Sequence, residues 1–122
     1  MAGKPTPAGA YRRGRAFEWH VRDVLEQAGW WVIRSAGSHS PADLVAWAPA
    51  AEYHACWLVQ AKRSGHLSRA EREALLQWAD RAGAFAVAVR PALIGRRLDW
   101  RVWDETQGRW QAVEGPQERG NA

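Results

Sequence analysis

Residues 57–62, WLVQAK, decide how the chain is read, because a short apolar run closes there on an amide and an ammonium group. In an extended strand successive side chains point to opposite faces. Leu58, Gln60 and Lys62 therefore share one face, and Trp57, Val59 and Ala61 share the other. The second face is wholly apolar, while the first turns polar at its end. A core strand that finishes with Gln60 and Lys62 side by side is a strand that opens onto a site.

Working outward, the flanking segments supply neighbours for that strand. DLVAWA (43–48) reads as a strand that begins with Asp43, and WWVIRS (30–35) reads as another, with the Gly/Ser turn AGSHSP between them. Before them, Phe17, Val21, Val24, Leu25 and Ala28 recur at helical spacing, which predicts a helix from about Arg13 to Ala28, stopped by Gly29. Downstream, Ser68 and Glu71 have the spacing of a capping box, so a second helix starts there, places Leu75, Trp78 and Ala82 on one face and stops at Gly83. AFAVAVR (84–90) is apolar on both faces, the pattern of a central strand. LDWRVWD (98–104) and RWQAV (109–113), about Gly108, read as a hairpin or two short edge strands. The predicted class is α/β: a mixed β-sheet flanked by helices, order α-β-β-β-α-β-β, with an antiparallel pair among the three consecutive strands. Residues 1–10 are expected to form a flexible basic arm, residues 11–113 the folded domain and residues 114–122 a flexible tail.

A chain of 122 residues suits one domain. Its one cysteine, Cys56, excludes an internal disulfide and a multi-cysteine metal site. No stretch approaches the roughly 20 apolar residues of a membrane span, and the N-terminus has no apolar core of a secretory signal. An intracellular protein with no membrane partner is expected. Basic residues outnumber acidic ones 17 to 13, and they cluster in YRRGR (11–15) and IGRRLDWR (94–101). Nucleic acid is the first partner to consider, although an Arg-rich composition supplies the same charge. Lys4 and Lys62 are the only lysines. A chain that writes nearly every cation as Arg has set a compact ammonium at the end of a buried strand.

Hairpin-like pairing of the strands beginning at Asp43 and ending at Lys62 brings Asp43 close to Gln60 and Lys62. Glu18 lies at the margin of the first helix's apolar stripe, from which it reaches the same cluster. Two carboxylates, an amide and an ammonium are the materials of phosphodiester hydrolysis. Mg²⁺ takes hard oxygen ligands, commonly one or two carboxylates with water filling the rest. A lysine beside it orients the attacking water or stabilises charge developing on the phosphate.

These residues fall in an order that resembles the archaeal-type Holliday junction resolvases of the PD-(D/E)XK nuclease superfamily. The resemblance runs from Arg12 to about Arg90, on RRGRAFEWHVRDVLEQAGWWVIRSAGS, PADLVAW, WLVQAK and LLQWADRAGAFAVAV. It implies a restriction-endonuclease-like fold, an Mg²⁺ or Mn²⁺ cofactor, branched four-way DNA as substrate and a homodimer. By the same resemblance Glu18 supports the metal or its water, Asp43 binds the metal and Lys62 is the catalytic lysine. Ser38 helps to place the junction backbone and Arg34 lies near the scissile phosphate. Arg12 and Arg13 match a basic entry used for DNA binding, and Arg15 and Arg63 are further candidate DNA contacts. The family pattern has Glu where this chain has Gln60, and an amide still offers a carbonyl oxygen at similar reach while removing a negative charge. Competing readings are a nuclease of the same fold acting on other DNA, restriction-like or repair, and a non-catalytic DNA-binding module.

Taken singly, each candidate has a plainer reading: Asp43 as a turn residue, Lys62 as a strand-end lysine reaching water, Glu18 as a polar-face helix residue. His39, beside Ser38, reads as an exposed loop histidine, and no histidine pair has metal-ligand spacing. Trp30, Trp31, Trp47 and Trp57 read as core, or as interface where they fall on a strand's second face. Trp19 lies off the helical stripe. Trp78 is a candidate dimer contact, with base stacking as the lesser reading.

Overall fold

The computed structural model describes residues 7–35, 40–49, 55–93 and 97–116. Along the chain run α1 (Pro7–Gln27), β1 (Trp31–Arg34), β2 (Leu44–Trp47), β3 (Cys56–Ala61), α2 (Arg69–Ala82), β4 (Phe85–Pro91), β5 (Leu98–Asp104) and β6 (Arg109–Val113). The terminal hairpin forms in full about Gly108, whose φ of 64° is the left-handed turn conformation. Both segments read as a hairpin are therefore strands, and the full order is α-β-β-β-α-β-β-β, one strand more than the order written from the sequence. All six strands form one sheet in chain order, β1-β2-β3-β4-β5-β6. Every neighbouring pair is antiparallel except β3 and β4, which are parallel because α2 carries the chain back across the sheet.

Each helix covers one face. Phe17, Val21, Val24 and Leu25 of α1 are buried against Leu44, Ala46, Val59, Ala61, Val87, Val89 and Trp100. On the opposite face Leu75 and Ala79 of α2 are buried with Leu58 and Ala86. The alternation expected of residues 57–62 therefore holds, with Val59 and Ala61 under α1 and Leu58 under α2. β4 lies between β3 and β5 with apolar residues on both faces, as its pattern requires.

Three details differ from the sequence pattern. α1 begins at Pro7, a residue that suits a helix's first turn, so residues 7–10 of the expected arm are helical. The buried stripe of α2 is Leu75 with Ala79, at i, i+4, which rotates Trp78 outward to 45% exposure and leaves Ala82 exposed. Of the strand tryptophans, Trp30, Trp57 and Trp100 form a packed series with centroids 4.6 and 5.6 Å apart. Trp31, by contrast, is 76% exposed and stands with Ile33 and Trp47 on the sheet face that carries α2.

Candidate active site

Asp43 is held where three strands meet. Its carbonyl accepts from Ser35 N–H at 2.9 Å and its own N–H donates to Val59 O at 2.8 Å. Val59 is already the partner of Leu44, so two residues of one strand meet one of the other, a bulge-like break in the ladder. That break re-aims the side chain. Asp43 Oδ2 accepts the N–H of Ala61 at 2.8 Å, a donor left over where the β2–β3 ladder ends. The carboxylate lies against Glu18 of α1. Burial raises the Asp43 carboxyl, the Ala61 N–H pulls it back, the Glu18 carboxylate pushes it up again and Lys62 lowers it, leaving it at about 6 against an ordinary 3.8.

Arg34, at the end of β1, reaches Glu18 from the same side of the sheet, with Nη2 3.4 Å from Oε2. Its guanidinium also lies 5.6 Å from the ring of Trp19, which is 43% exposed as its place off the stripe requires. Arg34 Nε is buried and has no hydrogen-bond partner among the described residues.

On the other face Lys62 follows β3, its N–H bonded to Val89 O at 3.0 Å. Its ammonium sits 2.6 Å from Glu71 Oε2. Sequence reasoning assigned Glu71 to the helix cap alone. The cap is present, with Ser68 N–H donating to Glu71 Oε1 at 3.1 Å, and the second oxygen is the one Lys62 takes. The Lys62 ammonium holds the Glu71 carboxyl below its ordinary value. A second group unannounced by the sequence lies next to Lys62. Asp99 accepts from Arg90 at 2.8 Å and from Arg101 at 3.1 Å, and both guanidiniums line a cleft with Lys62 and Trp110. Burial works against ionisation of Asp99, and the two arginines outweigh it, so its carboxyl is held low.

The structure thus brings Glu18, Asp43, Arg34 and Lys62 to one end of the sheet, with α1 on one side and α2 on the other. Gln60 is half-buried, in register with Ala88 of β4, and its amide makes no hydrogen bond among the described residues. Arg12, Arg13 and Arg15 are exposed along α1 on the N-terminal side of Glu18, and Arg63 is exposed just after Lys62. Ser38 and His39 lie outside the described residues.

No group of three or more His, Cys, Asp or Glu side chains gathers among the described residues. The acids of the site are Glu18 and Asp43. Burial first, and then the neighbouring Glu18, raise the Asp43 carboxyl to about 6, and two adjacent carboxylates are hard oxygen donors of the kind that suit Mg²⁺ or Mn²⁺. No described helix is long and apolar enough to cross a membrane.

Comparison with known proteins agrees with this geometry. A search of curated proteins finds no significant match. Among solved structures the chain is similar to that of Hjc from Archaeoglobus fulgidus, a Holliday junction resolvase from an archaeal hyperthermophile. The two are 26% identical over 74% of this chain and 70% of that one, with a TM-score of 0.57. The family model for archaeal Holliday junction resolvase (Hjc) matches residues 9–107, a span that contains both carboxylates, the lysine, all of α2 and all but the first two residues of α1. The chain belongs to the archaeal Holliday junction resolvase family, and it is an endonuclease of that family.

Proposed function

We propose that this resolvase is a divalent-metal-dependent homodimer that cuts four-way DNA junctions by paired phosphodiester hydrolysis. The observation that carries the reading is the Glu18–Asp43 carboxylate pair, with Asp43 raised to about 6, on the strand ends that also hold Lys62. Glu18, Asp43 and the Gln60 carbonyl would hold Mg²⁺ or Mn²⁺, which would supply a water of lowered pKa and neutralise charge on the scissile phosphate. Lys62 places its ammonium beside the reacting phosphate, where it orients the attacking water and stabilises the developing charge. Arg34 contacts the phosphate from the β1 side, and Ser38 helps to place the junction backbone. Arg12, Arg13, Arg15 and Arg63 bind flanking phosphates. An enzyme of this kind works on DNA inside the cell.

Two symmetric cuts call for two sites, and each chain carries one. A two-fold dimer supplies them with the junction's own symmetry. Trp31, Ile33 and Trp47 leave an apolar surface on the β1–β2 face, 76%, 59% and 39% exposed, and Trp78 is exposed on α2 over the same side of the sheet. This surface is the proposed dimer contact. The test is cleavage with Mg²⁺ of a four-way junction, a flap and a linear duplex side by side, each with an EDTA control. Symmetric nicking confined to the junction is expected. Equal cutting of linear duplex would favour a nuclease of other specificity, and cutting in EDTA would remove the metal from the reading.

A further inference from the structure

We propose that Glu71 is a positioning residue for Lys62: the first turn of α2 fixes where the ammonium stands. The proposal deepens the reading of Lys62 as the catalytic lysine and rests on it. Lys62 Nζ lies 2.6 Å from Glu71 Oε2. The carboxylate is the fixed partner of the two, because its other oxygen accepts Ser68 N–H at 3.1 Å and its own backbone N–H donates to Ser68 Oγ at 3.1 Å. A carboxylate locked in a capping box does not follow a mobile side chain. The four-carbon stem of Lys62, whose backbone is anchored by its N–H bond to Val89 O and by the Gly65 N–H bond to its carbonyl, is what becomes localised.

Asp43, the other carboxyl group within electrostatic reach of Lys62, is bonded to the Ala61 N–H and lies against Glu18. Gln60, which precedes Lys62 on the same strand face, is a neutral amide. The remaining charges lining the cleft beside Lys62 are the guanidiniums of Arg90 and Arg101, and Asp99 is already bonded to both. Glu71 is therefore the carboxylate that pairs with the Lys62 ammonium. With side chains 33% and 38% exposed, the ion pair adds little to folding stability. Its consequence is where the charge sits relative to the scissile phosphate.

Single-turnover cleavage of a four-way junction tests this on three variants of the full chain. Glu71→Gln keeps an oxygen for the Ser68 N–H and removes the charge that holds Lys62. Cleavage should slow about ten- to a hundredfold, the range that misplacement of a catalytic group produces, with junction Kd unchanged and the melting temperature close to the parent's. Ser68→Ala removes the hydroxyl of the cap and leaves the Glu71–Lys62 pair; it should melt lower and cleave at the parent rate below its transition. Lysine ¹³Cε labelling gives a structural readout, since the chain has two lysines and the Lys62 signal is the one that disappears in Lys62→Ala. In Glu71→Gln that signal should shift and sharpen. Parent-rate cleavage by Glu71→Gln, with Lys62→Ala inactive, would overturn the positioning role alone. Parent-rate cleavage by Lys62→Ala would overturn the assignment of Lys62 and this proposal with it.

Discussion

At Asp43 the fold holds a carboxyl group where burial and a second carboxylate both favour its protonated form. The sign of the consequence follows from linkage. An acid whose folded pKa is raised binds more protons folded than unfolded, so stability falls as pH rises between the two values, here from 3.8 to about 6. Metal-free Asp43→Asn should therefore be more stable than the parent above pH 6, by about 1–3 kcal/mol, with the gap closing toward pH 4. It should also lose junction cleavage while keeping junction binding. Thermal melts of both proteins across that range check the first half, and a parent that melts alike at pH 4 and pH 7 would refute it. Gln60 works at the same scale. A neutral carbonyl attracts a divalent ion less than a carboxylate does, so Gln60→Glu should cleave at lower Mg²⁺ than the parent and Gln60→Ala should need more. Indistinguishable Mg²⁺ titrations for Gln60→Ala and the parent would remove Gln60 from the ligand set. The faces of Gln60 and Lys62 were legible because strand alternation is a local rule. The partnership of Lys62 with Glu71 was not, because the same residue already satisfied a complete local reading as a cap. Nor was the break in the ladder at Asp43 legible, since it depends on which residue of β3 that strand meets.

Among the elements, α1 does two tasks with two stretches. Phe17 to Leu25 supplies the buried stripe, and the stretch before it presents Arg12, Arg13 and Arg15 to solvent. If those arginines meet phosphates, replacing all three with Ala should weaken junction binding and flatten its dependence on salt. On duplex DNA the log–log slope should fall by roughly 0.9 for each phosphate that is no longer neutralised. An unchanged slope would take the α1 arginines out of the DNA interface. The stripe was readable because five apolar positions at helical spacing leave one solution. The start of the helix was not, because Gly9 and Gly14 argue against helix by intrinsic preference. In α2 the alanine at position 79 is small enough to sit under the helix, and a pattern weighted by size favoured Trp78 instead.

For the molecule as a whole, the uncovered β1–β2 face is the largest departure from an apolar interior. If the proposed dimer forms through this face, a single charge there, Ile33→Lys, should shift it toward monomer by light scattering and reduce paired cutting of one junction to single nicks, while leaving each site able to nick. A variant that stays dimeric and cuts in pairs would move the interface elsewhere. Sheet membership of β3 and β4 was legible from their composition, and the mixed order from three strands preceding the second helix. The exposure of Trp31, Ile33 and Trp47 was not legible, because an exposed strand face and a buried one carry the same residues.

The strand order has one more consequence. Since β1 to β6 lie in the sheet in the order they are made, every candidate catalytic side chain, from Glu18 to Lys62, is synthesised before the single crossover. Yet Lys62 N–H is bonded to Val89 of β4, and Val59 and Ala61 share their core with Val87 and Val89. A ribosome that has released the first half of the chain has therefore made the whole chemical set and no working enzyme. A fragment ending before α2 should be inactive and should gain activity when the second half is added in trans, so that a nascent resolvase cannot cut DNA until its last strands are out.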